Sequence, residues 1–156
     1  MPTMKRKTPA AAESLPLADF LCFAIYSANL AFGKAYKPIL QELGLTYTQY
    51  IVIVALWEED QQTVSGLGEK LFLESNTLTP MLKKLETMGY IIRTRNAADE
   101  RQVVLTLTPA GRKLRERAFA ADLTDACGLS NEGFKQVQQS VVALRDNLIR
   151  YTADKE

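Results

Sequence analysis

Covalent chemistry in this chain rests with two thiols. Cys22 lies in an apolar run between Leu21 and Phe23, and Cys127 lies beside Gly128. A cysteine in apolar company packs as a small inert hydrophobe, whereas an accessible thiolate is a nucleophile. Residue type alone leaves both readings open for each. Histidine is absent, so there is no Ser-His-Asp triad, histidine base or histidine metal site. Two cysteines are too few for a thiolate zinc site, and so far apart they do not outline a disulfide-built secreted module. No metal or cofactor is expected.

A second set of chemically capable residues is polar and clustered. If residues 76–88 are helical, Thr79, Pro80, Lys83 and Thr87 fall within about 60° of Asn76, with the leucines opposite. That face carries no acid. Asn and Thr side chains reach base edges, and Lys83 and Lys84 reach phosphates or guanine. Ser75, Asn76 and Thr77 stand at the helix N-terminus, where free amides favour phosphate. Arg93 and Arg95 are two apart on a strand and so point to one face. Arg101 sits at a hairpin tip beside Asp99, which can hold the arginine or brace the loop; a tip arginine can enter a minor groove.

Charge supports the grouping. Residues 83–117 hold nine basic and four acidic residues, a local balance of +5, while residues 58–74 hold five acids and one base. The whole chain is only +1, so the total hides a basic middle segment. A solvated helix with a salt-bridged hairpin is the plain alternative. The combination of helix face, hairpin tip and local charge points instead to nucleic acid.

These residues need positioning elements. After Pro16, residues 17–43 are apolar nearly all round and read as a helix that must be buried on several sides, which a chain of 156 residues achieves most readily at a subunit interface. Pro38 should kink it or set its last turn. Thr46 or Thr48 caps a second helix through about residue 59, with Ile51, Val54 and Ala55 facing the core. Thr63 or Ser65 opens a short third helix to about Phe72. Glu74, Ser75 and Asn76 make a turn, and Ser75 or Thr77 caps a fourth helix ending at Gly89. Residues 91–95 and 102–107 alternate as strands around a polar tip at 96–101. Thr108-Pro109 starts a helix expected to reach about Ala126. Ser130 caps the last helix, whose Phe134, Val137, Val141, Leu144, Leu148 and Tyr151 form an a/d seam.

The expected fold is mainly α with a small β-hairpin wing: a winged helix-turn-helix at about 46–108. Dimerisation helices at about 17–43 and 109–153 flank it in a single domain, 17–151, behind a flexible basic arm, 1–16. Apolar residues are 47% and charged residues 24% of the chain, a globular balance. The longest charge-free apolar stretch, 20–33, is too short to span a bilayer, so a cytoplasmic protein without a membrane partner is expected.

Ser75-Asn76-Thr77-Leu78-Thr79-Pro80-Met81-Leu82-Lys83-Lys84-Leu85-Glu86 resembles the recognition helix of MarR-family repressors. Gly89-Tyr90-Ile91, Arg93, Asp99-Glu100-Arg101 and Leu105-Thr106-Leu107-Thr108-Pro109-Ala110-Gly111 resemble that family's wing and the start of its next helix. The resemblance covers about 17–151. It implies a homodimeric regulator on double-stranded, pseudo-palindromic operator DNA, with one recognition helix per half-site.

Phe20-Leu21-Cys22-Phe23-Ala24, with Tyr36 and Tyr47, resembles the OhrR branch of that family. This branch senses organic hydroperoxides through an N-terminal cysteine whose sulfur is hydrogen-bonded by the matching tyrosines. Fourteen residues of continuous helix span about 21 Å, so such a bond between Cys22 and Tyr36 has to cross between subunits. Cys127 makes the chain similar to the two-cysteine kind. The resemblance implies oxidation of Cys22, resolution by Cys127 of the partner subunit, and release of DNA. The apolar residues around Cys22 favour bulky hydroperoxides.

Three other readings remain, the plainest being a helical dimerisation module that binds no duplex even at low salt. A MarR-type repressor released by non-covalent binding of a small aromatic ligand would make the cysteines incidental. A thiol peroxidase is disfavoured, because the nearest basic residues in sequence to Cys22 are Lys7 and Lys34; no enzyme activity is expected.

Overall fold

The computed structural model describes residues 15–118 and 123–156. The chain divides into two units, one ending at Lys34 and the other running from Ala35 to Glu156. Residues 1–14 of the expected arm and 119–122 of the expected fifth helix lie outside the described residues.

The first helix does not begin at Leu17. Leu17–Asp19 form a 3-10 turn, Phe20 is extended, and helix α1 spans Leu21–Leu43. The extended Phe20 (φ −77°, ψ 118°) breaks the helical hydrogen-bond ladder at that point. The helix continues past Pro38. Near its start, Phe20, Leu21, Phe23, Ile25, Tyr26, Leu30 and Phe32 are all exposed in the single chain.

In the second unit, Thr46 opens α2 (Tyr47–Glu58) through a capping box: its hydroxyl accepts Gln49 N, and Gln49 Oε1 accepts Thr46 N. Two orphan amides of the first turn are thereby satisfied. The core stripe of α2 differs from expectation. Val52, Ile53, Ala55 and Leu56 are buried, Ile51 only partly so, and Val54 is exposed. An unbroken run of apolar residues offers every face to the core, so periodicity cannot select one.

A short strand that the sequence pattern did not reveal, β1 (Gln62–Thr63), leads into α3 (Val64–Leu71), which Thr63 caps. Helix α4 spans Ser75–Thr87, and strands β2 (Ile91–Arg95) and β3 (Val103–Leu107) follow. The sheet is antiparallel in the order β1-β3-β2, with Arg93 opposite Leu105 and Arg95 opposite Val103. It has three strands rather than the two of a bare hairpin. Helix α5 is Pro109–Ala118 and α6 is Asn131–Ala153.

Leu40, Leu43, Val52, Ile53, Leu56, Leu67, Leu78, Leu82, Leu85, Ile91, Leu105 and Leu114 make one continuous core. It joins the end of α1 to the helix-turn-helix, the sheet and α5. Trp57 Nε1 donates to Gly111 O at 2.9 Å, and Asp60 accepts from both Leu107 N (3.0 Å) and Arg112 (2.9 Å). These bonds fix α5 to α2 and β3. On α6 the seam residues Val137, Val141, Leu148 and Tyr151 are exposed. Among the described residues, no single helix is long and apolar enough to cross a membrane.

Candidate functional site

Helix α4 begins one residue earlier than expected. Ser75 is its first helical residue rather than part of a turn, and the cap position is Glu74, whose side chain makes no capping bond. Neither Ser75 nor Thr77 caps the helix. Leu78, Leu82 and Leu85 anchor the inner face in the core. This leaves Ser75, Asn76, Thr77, Pro80, Lys83 and Lys84 exposed, and Thr79 half-buried with its hydroxyl donating to Ser75 O at 2.7 Å. The acid-free face is therefore real, although Thr79 already spends its proton on the backbone.

The wing is a braced loop. Asn96 N donates to Gln102 O, and the Asn96 and Gln102 side chains bond at 3.1 Å. Asp99 Oδ1 accepts both Arg101 N (3.1 Å) and Arg101 Nε (3.2 Å). Asp99 thus does both jobs foreseen for it. Arg101 remains 93% exposed at the tip. Exposed ion pairs contribute little stability, so this one matters for the direction of the guanidinium.

The two arginines of β2 have separate environments. Arg95 is exposed and donates to Glu100 O at 3.2 Å. Arg93 is half-buried and held by Glu86, which takes Arg93 N on Oε2 (3.0 Å) and Arg93 Nε and NH2 on Oε1 (3.2 and 3.0 Å). The Arg93 side-chain and backbone bonds hold the Glu86 carboxyl below its ordinary range. A cleft of about 250 Å³ brings Ser65, Ser75, Thr79, Arg93 and Arg101 together between the helices and the wing. Spacing along the sequence showed Glu86 leaving the polar face of α4, but not that Arg93 would be its partner.

The thiols occupy different settings. Cys22 is exposed, the second residue of α1. Cys127 is half-buried in a 3-10 turn, Asp125–Cys127, rather than at the end of a long helix; Gly128 follows with φ +64°. Left-handed backbone at Gly128 ends the turn, as a glycine readily does. Both cysteines are free thiols.

Tyr36 and Tyr47 meet, with ring centroids 5.3 Å apart, and Tyr36 lies 5.9 Å from Tyr50. Tyr50 in turn stands edge-on to Trp57 at 6.3 Å. Tyr50 was not among the expected site residues. Its signal was its place on α2, one turn from Tyr47 and two turns from Trp57, on one face. Burial, followed by the neighbouring Tyr47 hydroxyl, pushes the Tyr50 phenol above its ordinary pKa. A cleft of about 380 Å³ opens beside it, lined by Tyr50, Val54, Trp57, Glu58, Arg115 and Ala118.

Comparison with known proteins gives a consistent result. The family model for the transcriptional regulator SarA/Rot matches residues 34–117. The organic hydroperoxide resistance transcriptional regulator of Bacillus subtilis strain 168 is 38% identical over 138 residues, 87% of this chain and 94% of that protein. The structure of reduced AbfR bound to DNA, from Staphylococcus epidermidis, matches with a TM-score of 0.76 at 39% identity, covering 86% of this chain and 94% of that one. The disulfide-formed AbfR structure matches with a TM-score of 0.62 at 40% identity, covering 82% and 91%.

Proposed function

The chain belongs to the MarR family of transcriptional regulators, in its organic-hydroperoxide-resistance branch, and we propose that its regulatory signal is oxidation of Cys22. The observation that carries this reading is the meeting of Tyr36 and Tyr47, since two phenols side by side can donate to one thiolate without a cation. The relative solved in both reduced, DNA-bound and disulfide-formed states supports it.

In this reading two copies dimerise through the apolar faces of α1 and α6. The Cys22 thiolate attacks the terminal oxygen of an organic hydroperoxide; the O–O bond breaks, an alcohol leaves after protonation, and Cys22 becomes a sulfenic acid. The thiol of Cys127 of the partner subunit then attacks that sulfur. A disulfide forms and water leaves. Tyr36 and Tyr47 stabilise the thiolate beforehand, in a pocket shared between subunits. The disulfide draws on the chain beyond α5 and displaces the reading heads from half-sites one helical turn apart. Cellular thiols reverse it.

The same reading places α4 in the major groove of double-stranded operator DNA, with Asn76, Thr77, Thr79 and Pro80 toward base edges and Lys83 and Lys84 toward phosphates. Arg95 and Arg101 approach the adjoining minor groove, with Ser75 at the phosphate-facing helix N-terminus.

A non-reducing gel after one equivalent of an organic hydroperoxide tests the redox step. A reducible band at twice the chain mass of 17.4 kDa, absent in both Cys22→Ser and Cys127→Ser, is expected. Retention of free thiols by the wild type would remove the redox mechanism. The second reading, release by a small aromatic ligand, draws on the cleft beside Tyr50 and Trp57; it requires that Cys22→Ser and wild type release DNA alike.

A further inference from the structure

We propose that Glu86 is the positioning residue that sets the wing at its working angle to the recognition helix, with Arg93 as the strut between them. This inference rests on the DNA-binding reading of α4 and the wing given above.

The sheet order β1-β3-β2 leaves β2 on an edge, and alternate edge donors point away from the ladder. Arg93 N is such a donor, and its acceptor is Glu86 Oε2 at 3.0 Å. Glu86 sits in the last turn of α4, so the recognition helix completes the edge of the wing strand. The guanidinium of Arg93 doubles the bond through Nε and NH2 onto the other carboxylate oxygen. Both oxygens are occupied, and the carboxylate is joined to backbone and side chain of one residue at once.

Ile91, Leu105 and Leu107 anchor the root of the wing in the core, and the outer part of the wing depends on fewer ties. Between α4 and β2 lie only Met88, Gly89 and Tyr90, with Gly89 at φ +80°. That turn pins the root of β2 through Tyr90 N to Leu85 O. β1 supports β3 only at Val104 and Leu105. Beyond Thr94 the wing is a two-stranded ribbon, a form with little rigidity of its own. From Arg93 to the tip the ribbon extends on the order of 10 Å. A tilt of about 10° at Arg93 would move the tip by roughly 2 Å, enough to lose a hydrogen bond.

The pairing also selects which arginines face outward. Arg93 is turned to Glu86 and is half-buried, while Arg95 and Arg101 stay exposed. Glu86 lies one turn or less from Lys83 and Lys84 on α4, and Arg93 neutralises it there. An unpaired carboxylate at that place would oppose a phosphate backbone. Because Glu86 is more than a third exposed, the bridge adds little to stability, and its contribution lies in orientation.

A double-mutant cycle on DNA affinity separates positioning from simple support. The probe is a duplex enriched from a random-sequence library by the wild-type protein, measured at one fixed salt concentration. Arg101→Ala is expected to weaken wild-type binding about tenfold. Glu86→Ala should weaken it by a similar factor, and Arg101→Ala added to Glu86→Ala should cost no more than about twofold further. The slope of log affinity against log salt should fall by about 1 in both single variants, although Glu86 carries no positive charge. An unchanged salt slope in Glu86→Ala, or a full tenfold loss from Arg101→Ala in both backgrounds, would overturn the proposal. If Glu86→Ala fails to fold, Glu86→Gln, which keeps shape and one acceptor, is put through the same cycle with the same criteria. A wild type that binds no duplex at low salt would remove the DNA-binding reading and this inference with it. A wild type that binds, with an additive cycle, would remove this inference alone.

Discussion

Tyr36 and Tyr47 stack at a slant, 5.3 Å between ring centroids, although one lies on α1 and the other opens α2. The meeting depends on the turn through Gly44 at φ +70° and on Leu40, Leu43 and Leu45 locking that corner into the core. Two phenols from two different helices converge at this corner. The arrangement suits stabilisation of an anion by neutral donors.

If these phenols donate to the Cys22 thiolate, removing either hydroxyl slows its oxidation. A hydrogen bond to a charged group contributes about 1.5–3 kcal/mol, so Tyr36→Phe and Tyr47→Phe should each lower the second-order rate with cumene hydroperoxide roughly tenfold or more. Thiol loss followed by stopped-flow titration measures this. Tyr50→Phe should have a much smaller effect. Equal rates in wild type and both variants would detach the tyrosine pair from the thiol.

DNA binding should divide by residue. Asn76→Ala removes a base-edge donor and should cost about 1–3 kcal/mol on the preferred duplex while relaxing sequence preference at one position. Lys83→Ala should weaken all duplexes alike and lower the salt slope by about 1. Competition binding over a salt series checks both. The reverse pattern would mean that α4 lies differently in the groove.

Gly111 is required by close approach. A Cβ there would stand 2.2 Å from Tyr90 O and 3.1 Å from Leu107 Cδ2, and Gly111 O also accepts the Trp57 indole. Gly111→Ala should destabilise the protein by roughly 3 kcal/mol, because backbone rather than a flexible side chain must move. Thermal unfolding followed by Trp57 fluorescence would report it. A melting temperature equal to wild type would contradict this packing.

Tyr50 carries a pH signature. Its phenol is pushed above the ordinary 10.0 by burial first and Tyr47 second. The folded protein therefore favours the neutral form more than the unfolded chain does. The stability it contributes is complete below pH 10 and is lost as pH rises through the higher folded value. In an alkaline titration of phenolate absorbance, Tyr50→Phe should delete a late-titrating phase. Loss of an early phase instead would place Tyr50 in water.

Much of the local architecture could be read from the residues. Thr46, Thr63 and Ser130 cap their helices, and Leu78, Leu82 and Leu85 form the buried stripe of α4. Arg101 and Asp99 pair at the wing tip as their spacing suggested. Each of these depends on groups within a few positions of one another, where helical or strand period and capping chemistry dominate.

What the tertiary structure decided involves partners distant in sequence or faces that periodicity left undetermined. The run 51–56 is apolar on every side, and only packing chose Val52, Ile53 and Leu56 for the core. β1 is two residues long and exists because β3 offers it an edge. The joining of Trp57 to Gly111, of Tyr36 to Tyr47 and Tyr50, and of Arg93 to Glu86 follows from how elements pack. Local sequence determines which helices and strands form, because their hydrogen bonds and caps close within a few residues. Which side chains then meet depends on burying those elements together, a condition that the whole chain must satisfy at once.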